Sequence, residues 1–352
     1  TSTTNLNTMT MKYLLVPMIC LLLLSCSKDD NENTDNTPKT TNVYVVGWEK
    51  NNGKNLAKIW KNGTATTLGT VGKASSGRSV FVVGNDVYAV IHETVSTAAD
   101  AKYQIKLFKN NQFVKNITDG NNNAYCRDIL VVGNDVYIVG FESNGSKQVA
   151  KMWKNGVATS LSNPARDASA DAIAILGNNV YITGFENDGA NNVAKVWKNG
   201  TGTTLANVES FGKAIYVSGN DVYIAGEEVG NGYWKAKLWK NGTGTDLTTN
   251  TDGYGRSIAV SGNDVYVLLE QFNANGKWQG RLWKNGQTSN VTNGTQDVYM
   301  ISIAVDGNDV YNVGSENNGT VDVAKIWKNG TAINLTNGTQ EARALDIAIA
   351  KQ

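Results

Sequence analysis

The sequence predicts an all-β protein, a seven-bladed β-propeller whose blades are four-stranded antiparallel sheets. Three observations carry this. Two motifs each occur seven times, every repeat reads as short strands joined by tight turns, and the repeat region starts and stops in mid-repeat. A Val-Tyr pair, usually preceded by Gly-Asn-Asp, places tyrosines at Tyr44, Tyr88, Tyr137, Tyr181, Tyr223, Tyr266 and Tyr311. The steps are 44, 49, 44, 42, 43 and 45 residues. Trp-Lys-Asn-Gly recurs at Trp60, Trp153, Trp197, Trp239, Trp283 and Trp327, and Phe108 with Asn110-Asn111 supplies the seventh copy. A period of about 40–45 residues with four strands fits a propeller blade.

Each unit parses in the same way. Strand A is an apolar stretch such as Ser257-Ile258-Ala259-Val260, and a Gly262-Asn263 turn leads to strand B, Asp264-Val265-Tyr266-Val267. A variable loop precedes strand C, Arg281-Leu282-Trp283, and Asn285-Gly286 turns into strand D. Asn-Gly between apolar runs is a strong hairpin signal, because both residues tolerate positive φ. The region opens at Asn42-Val43-Tyr44, a strand B with no strand A before it. It ends at Leu345-Asp346-Ile347-Ala348-Ile349, a strand A with no strand B after it. The last strand is therefore expected to complete the first blade, which removes two sheet edges that would otherwise invite aggregation. The propeller is expected to occupy residues 42–352.

Composition narrows the function classes. The 352 residues carry 32 basic and 31 acidic side chains, a formal net charge of +1, so the basic field of a nucleic-acid binder is missing. Hydrophobic residues at 41% suffice for a core, and 36 glycines against 3 prolines suit many tight turns. The single histidine, His92, and the three cysteines, Cys20, Cys26 and Cys126, leave no Cys/His zinc site. No cofactor is expected.

The N-terminal part reads as an address. Residues 1–10 have no apolar pattern and read as an upstream extension, with Met11 or Met9 as the start. Lys12 precedes an apolar run, Leu14 to Leu24, far shorter than the about 20 residues a membrane span needs but right for a signal-peptide core. The run ends Leu23-Leu24-Ser25-Cys26, which resembles the lipobox of bacterial lipoproteins. The resemblance implies cleavage after residue 25 and acylation of Cys26, with the lipid bilayer as partner. Each buried methylene of such chains adds about 0.8 kcal/mol. An acylated Cys26 also leaves no internal disulfide. Ser27-Lys28-Asp29-Asp30 resembles the acidic tags that route some lipoproteins to the outer face of the outer membrane, which implies display at the cell surface. Residues 26–41 are expected to be the acylated cysteine and a polar tether.

The hairpin phrase Ile303-Ala304-Val305-Asp306-Gly307-Asn308-Asp309-Val310-Tyr311 resembles NHL and YVTN-type propeller repeats. The resemblance covers one hairpin per blade. It implies the fold and leaves the function open, since these propellers range from interaction platforms to enzymes.

Residues present in every blade read as structural. Glu49, Glu93, Glu142, Glu186, Glu228, Gln271 and Glu316 follow the tyrosines by five residues. Lys58, Lys106, Lys151, Lys195, Lys237, Arg281 and Lys325 precede the Trp or Phe by two. A cross-strand register placing each glutamate opposite its lysine, and the glycine two before the glutamate opposite the tryptophan, accounts for both sets without a metal.

Function is sought where the blades differ. The variable B–C and D–A loops fall on one face, around the channel expected to be lined by strand A. Counted back from the A–B turn, one set is Arg78, Arg127, Asp171, Lys213, Arg256, Ile301 and Leu345. Two residues earlier stand Ser76, Tyr125, Ser169, Phe211, Tyr254, Tyr299 and Arg343. The candidate ligand-binding residues are therefore Arg78, Tyr125, Arg127, Asp171, Phe211, Lys213, Tyr254, Arg256 and Tyr299. Cations beside aromatic faces suit an acidic glycan or an acidic protein partner. The competing reading is that these cations neutralise Asp128, Asp171 and Asp346 and plug the channel. No catalytic residue is nominated. His92 and Cys126 map to neighbouring blades without marked reach, and the three aspartates carry no sign of the spacing glycoside cleavage requires. The expected role is an envelope-anchored binding module. The alternatives are a propeller enzyme acting on polysaccharide, a lyase or hydrolase, and an envelope scaffold with no small ligand.

Overall fold

The computed structural model describes residues 40–351, and within them twenty-eight strands and no helix. The signal-like run and Cys26 lie outside the described residues. No helix among the described residues is long and apolar enough to cross a membrane. The strands form seven four-stranded sheets. In blade 1, strands A to D are Ala342–Lys351, Thr41–Asn51, Lys54–Lys61 and Thr64–Thr67. Blades 2 to 7 each take four consecutive strands, with strand A at Ser75–Val83, Ala124–Val132, Ala168–Leu176, Ser210–Ser218, Gly253–Ser261 and Val298–Asp306. Each strand A touches strand A of both neighbouring blades, from blade 2 round to blade 1 and back. The ring is closed, strand A is innermost, and the C-terminal strand pairs with Thr41–Asn51 with Val45 opposite Ile347. Strand D is the exposed outer edge of each blade, four to five residues long, and so short an edge limits pairing with other chains.

The repeated motifs are the two halves of one clamp at the A–B and C–D end of each blade. Asn155 and Gly156 have φ of +54° and +89°, the type I′ geometry that matches strand twist. The Asn155 Oδ1 accepts from the Val136 amide at 2.9 Å, and its Nδ2 donates to Asp135 at 2.7 Å. Lys154 meets the other Asp135 oxygen at 2.7 Å and lies 5.2 Å above the Tyr137 ring. Asn241, Asn285 and Asn329 repeat this with Asp221, Asp264 and Asp309. The tryptophans lock the blades together. Trp153 is 1% exposed and packs on Ile105, Leu107 and Ile117 of blade 2. Truncating such a residue costs about 3–5 kcal/mol.

The repeated ion pairs form, but not in the expected register. Gly184, not Glu186, stands opposite Lys195, and the tryptophan Trp197 faces Ile182. Lys195 reaches diagonally to Glu186 at 2.6 Å, as Lys325 does to Glu316 and Lys237 to Glu228 at 3.2 Å. The glycine has another purpose. Strand A carries one extra residue against strand B in all seven blades, a β-bulge. The bulge pushes a strand A carbonyl toward strand B, so a Cβ on Gly184 would sit 2.0 Å from the Ser169 oxygen. Gly47, Gly140, Gly226 and Gly314 face the same obstacle. Gly184→Ala is therefore expected to lower the unfolding free energy by at least the about 1–3 kcal/mol typical of overpacking, read as a shifted urea midpoint. An unchanged midpoint would show that the bulge does not need the glycine.

Candidate functional site

The bulge fixes what faces the axis. The extra residue of each strand A is Arg78, Arg127, Asp171, Lys213, Arg256, Ile301 or Leu345. A bulge brings its two residues to one side, where a regular strand would alternate them. The central cavity, ≈ 330 Å³, is accordingly lined by doublets: Arg78-Ser79, Arg127-Asp128, Asp171-Ala172, Lys213-Ala214, Arg256-Ser257, Ile301-Ser302 and Leu345-Asp346, with Phe185 beside them. Five of the nine nominated residues, Arg78, Arg127, Asp171, Lys213 and Arg256, share this cavity.

The aromatic nominees stand one pairing step before the bulge, each facing a variable residue of strand B. Tyr125 is opposite Phe141, Phe211 opposite Glu227, Tyr254 opposite Glu270 and Tyr299 opposite Ser315. Three of them fall into two aromatic runs. In blades 2 and 3, Tyr103, His92, Tyr125 and Phe141 lie with successive centroids 5.4, 5.0 and 5.0 Å apart. Across blades 4 to 6, Phe185, Phe211, Trp234, Tyr254, Trp278 and Phe272 follow one another at 5.0, 5.8, 6.3, 5.1 and 5.3 Å. Tyr299 joins neither run. Its ring is capped by the Arg343 guanidinium at 4.0 Å, and Arg343 is held by Asp322 at 2.8 Å.

The channel is less cationic than four cations and one carboxylate. Strand B adds two buried carboxylates, Glu227 and Glu270, that are not among the sequence candidates. Arg256 donates to Glu270 at 3.1 Å, and the other Glu270 oxygen accepts the Met300 amide at 3.0 Å. Lys213 lies 3.6 Å from both Asp171 and Glu227, and burial raises the Glu227 pKa. The wall of blades 4 to 6 thus pairs its charges within 4 Å, although Arg256 Nε and Glu227 Oε2 are buried without hydrogen-bond partners. The wall of blades 2 and 3 does not pair all of its charges in this way. Arg127 approaches Asp171 only at 3.6 Å, its Nε buried and unbonded. Among the described residues Arg78 has no carboxylate within 4 Å, and its Nε is likewise buried without a partner. Burial, and then the neighbouring Arg127, lower the Arg78 pKa to about 10, so it stays a cation at neutral pH.

Asp128 and Asp346 form the deep side of the channel. The Ser79 hydroxyl stands 2.9 Å from Asp128 Oδ1 and 2.7 Å from Asp346 Oδ2, and it has one hydrogen. That hydrogen serves only one of the two contacts, and the raised pKa of both carboxyls favours a second proton shared by the group. Asp128 Oδ2 also accepts the Ile173 amide, while Asp346 accepts the Val80 amide and the Ser302 hydroxyl. Each thus joins neighbouring blades. Burial, then Asp346, push Asp128 up to about 7, and burial raises Asp346. The pair is engaged in blade-to-blade bonding, not poised as an acid and a base flanking a substrate.

His92 and Cys126 offer no nucleophile. Burial pushes the Cys126 thiol up to about 12 and holds His92 well below its usual range, neutral between two tyrosine edges. No three His, Cys, Asp or Glu among the described residues stand together as metal ligands do. The strand C aromatics Tyr103, Trp234 and Trp278 were missed, although a signal existed. Each precedes the motif aromatic by five residues, a column that elsewhere reads Asn55, Gln148, Asn192 and Asp322.

No protein-family model matches the chain, and no curated protein is similar to it in sequence. Solved structures match its fold. The β-propeller domain of the Trilobed protease from Pyrococcus furiosus, described as having an open velcro topology, is 11% identical with a TM-score of 0.53, over 86% of this chain and 96% of that one. An acylaminoacyl peptidase in complex with Z-Gly-Gly-Phe-chloromethyl ketone is 12% identical with a TM-score of 0.52, over 86% of this chain. The Pyrococcus horikoshii acylaminoacyl peptidase is 13% identical with a TM-score of 0.51, also over 86%. The chain spans about half the length of these two peptidases, 52% of each.

The channel has a pH signature. The raised pKa of Asp128 means the folded state keeps a proton that the unfolded chain gives up near pH 4, so this group's contribution to stability falls as pH rises from about 4 to 7. Glu227 and Asp346 act in the same direction. His92, neutral when folded, acts oppositely below pH 6.5. In a His92→Phe variant the opposition is gone, and urea unfolding is expected to show lower stability at pH 7.5 than at pH 5. A flat or rising profile would refute the shared proton.

Proposed function

We propose that the protein is a lipid-anchored binding module of the bacterial cell envelope whose channel holds the carboxylate of an acidic glycan. The observation that carries the ligand reading is the Arg78 guanidinium, sunk in the channel wall beside Arg127 with no carboxylate partner among the described residues. Two adjacent guanidinium forks suit a bidentate anion such as a uronate. In the Tyr103–His92–Tyr125–Phe141 run next to them, the half-buried Tyr103 and Tyr125 offer ring surface to a sugar. The anchor rests on Leu23-Leu24-Ser25-Cys26 and its resemblance to the lipobox, with the acidic stretch after it favouring outer-membrane surface display. The hairpins' likeness to NHL and YVTN repeats fits a role as an interaction platform.

Binding to alginate, polygalacturonate and chondroitin, measured by calorimetry against neutral dextran, tests the ligand. At least one acidic polymer is expected to bind, and Arg78→Ala with Arg127→Ala is expected to weaken it at least tenfold, as loss of charge-assisted hydrogen bonds worth about 1.5–3 kcal/mol implies. Unchanged affinity in the double variant would end this reading, and cleavage of the bound polymer would transfer it to an enzyme. The anchor is tested separately. Cys26→Ala is expected to move the protein from the membrane fraction to the soluble fraction, and retention on membranes would defeat it.

A further inference from the structure

Blade 6 breaks the repeated ion pair. In the other six blades a lysine of strand C lies within 4 Å of a strand B glutamate. Blade 6 has Arg281 and Gln271 at these positions. Arg281 Nη1 donates to Gln271 Oε1 at 2.9 Å, its Nε is buried without a partner, and no carboxylate among the described residues lies within 4 Å. The exchange leaves one uncompensated guanidinium in a ring of matched pairs. It faces a ≈ 460 Å³ pocket that Asn250, Gln271, Phe272 and Gln279 also line. Phe272 stands edge-on to Trp278 at 5.3 Å, so the pocket sits at the outer end of the aromatic run that reaches Tyr254, over which Arg256 lies at 4.4 Å.

We propose that this pocket is a second binding site, for a sugar residue bearing a carboxylate or sulfate. Arg281 Nη2 and the second hydrogen of Nη1 are left to take two anion oxygens. The amides of Asn250, Gln271 and Gln279 supply donors and acceptors for ring hydroxyls, and Phe272, backed by Trp278, supplies the apolar wall. Gln271 is essential to the design. A glutamate there would fill the guanidinium as its counterparts fill their lysines, and no anion would be held. The anion chemistry stands on blade 6 alone. Its choice of a sugar carrier rests on the glycan reading above.

The test restores the repeat. Gln271→Glu with Arg281→Lys gives blade 6 the pair that six blades already fold with. Trigalacturonate, a 6-sulfated galactose trisaccharide and neutral galactotriose are titrated calorimetrically into the full chain carrying Arg78→Ala and Arg127→Ala, which silences the channel. One or both anionic trisaccharides are expected to bind and the neutral one not to. The uronate and sulfate arms tell the two anion sources apart. Restoring Glu and Lys is expected to weaken binding at least tenfold. Equal affinity before and after restoration, or no anionic trisaccharide bound in the channel-silenced protein, would overturn the site. Failure of the channel reading would appear instead as unchanged affinity in the channel variants alone.

Discussion

Everything at the axis of this ring depends on one irregularity, the extra residue in each innermost strand. A bulge bends and twists the strand at the cost of one unpaired residue. Because it occurs at the same place in all seven blades, two successive side chains from each point to the axis. The same bulge drives a carbonyl against strand B and makes the facing residue glycine in five blades. In blades 2 and 6 that residue is Ile91 or Leu269, and the glycine lies on the facing strand as Gly77 or Gly255. Channel lining and repeat sequence are therefore consequences of one backbone feature.

Much of this was legible before any coordinates. Repetition with a period near 44 residues, Asn-Gly turns and the displaced last strand were enough for fold, blade number and closure. Counting back from the A–B turn also landed on the bulged residue in every blade. What alternation could not show was the bulge itself. A period of two places Asp128 and Asp346 on the face opposite Arg127 and Leu345. The bulge puts them on the same face, which is why the channel holds more carboxylate than the count of nominated residues implied. Glu227 and Glu270 are not among the sequence candidates, because nothing in the sequence says that Tyr254 and Glu270 are directly paired. The Glu–Lys ring was read as ion pairs, and they are, but diagonal ones. In five blades the glycine two before the glutamate answers to strand A, a partner that in blade 1 lies at the far end of the sequence.

The clamp of Asn, Asp, Lys and Tyr at one end and the tryptophans between blades define a frame that varies little round the ring. Its uniformity makes departures informative. Phe108 replaces a tryptophan and still packs with Tyr44 and Ile59 of blade 1, so that departure is absorbed by packing. Gln271 and Arg281 are not absorbed in this way. The exchange removes a negative charge, keeps the positive one, and leaves a buried donor without a partner.

The same reasoning weighs the channel. Seven equivalent bulges hold Arg78, Arg127, Asp171, Lys213, Arg256, Ile301 and Leu345, so the backbone accepts an apolar residue there as readily as a charged one. Ile301 and Leu345 avoid any desolvation penalty. Arg256 recovers its penalty from Glu270, and Lys213 from Asp171 and Glu227. Arg78 has no carboxylate within 4 Å among the described residues, and the more distant Asp171 and Asp346 offset only part of what burial and the neighbouring Arg127 cost it. A buried charge without a partner costs several kcal/mol in a protein interior. The fold does not require that charge, and isoleucine at the same bulge shows what would serve it better. That cost is what the proposed anion would offset, bound in the channel that Arg78 and Arg127 line.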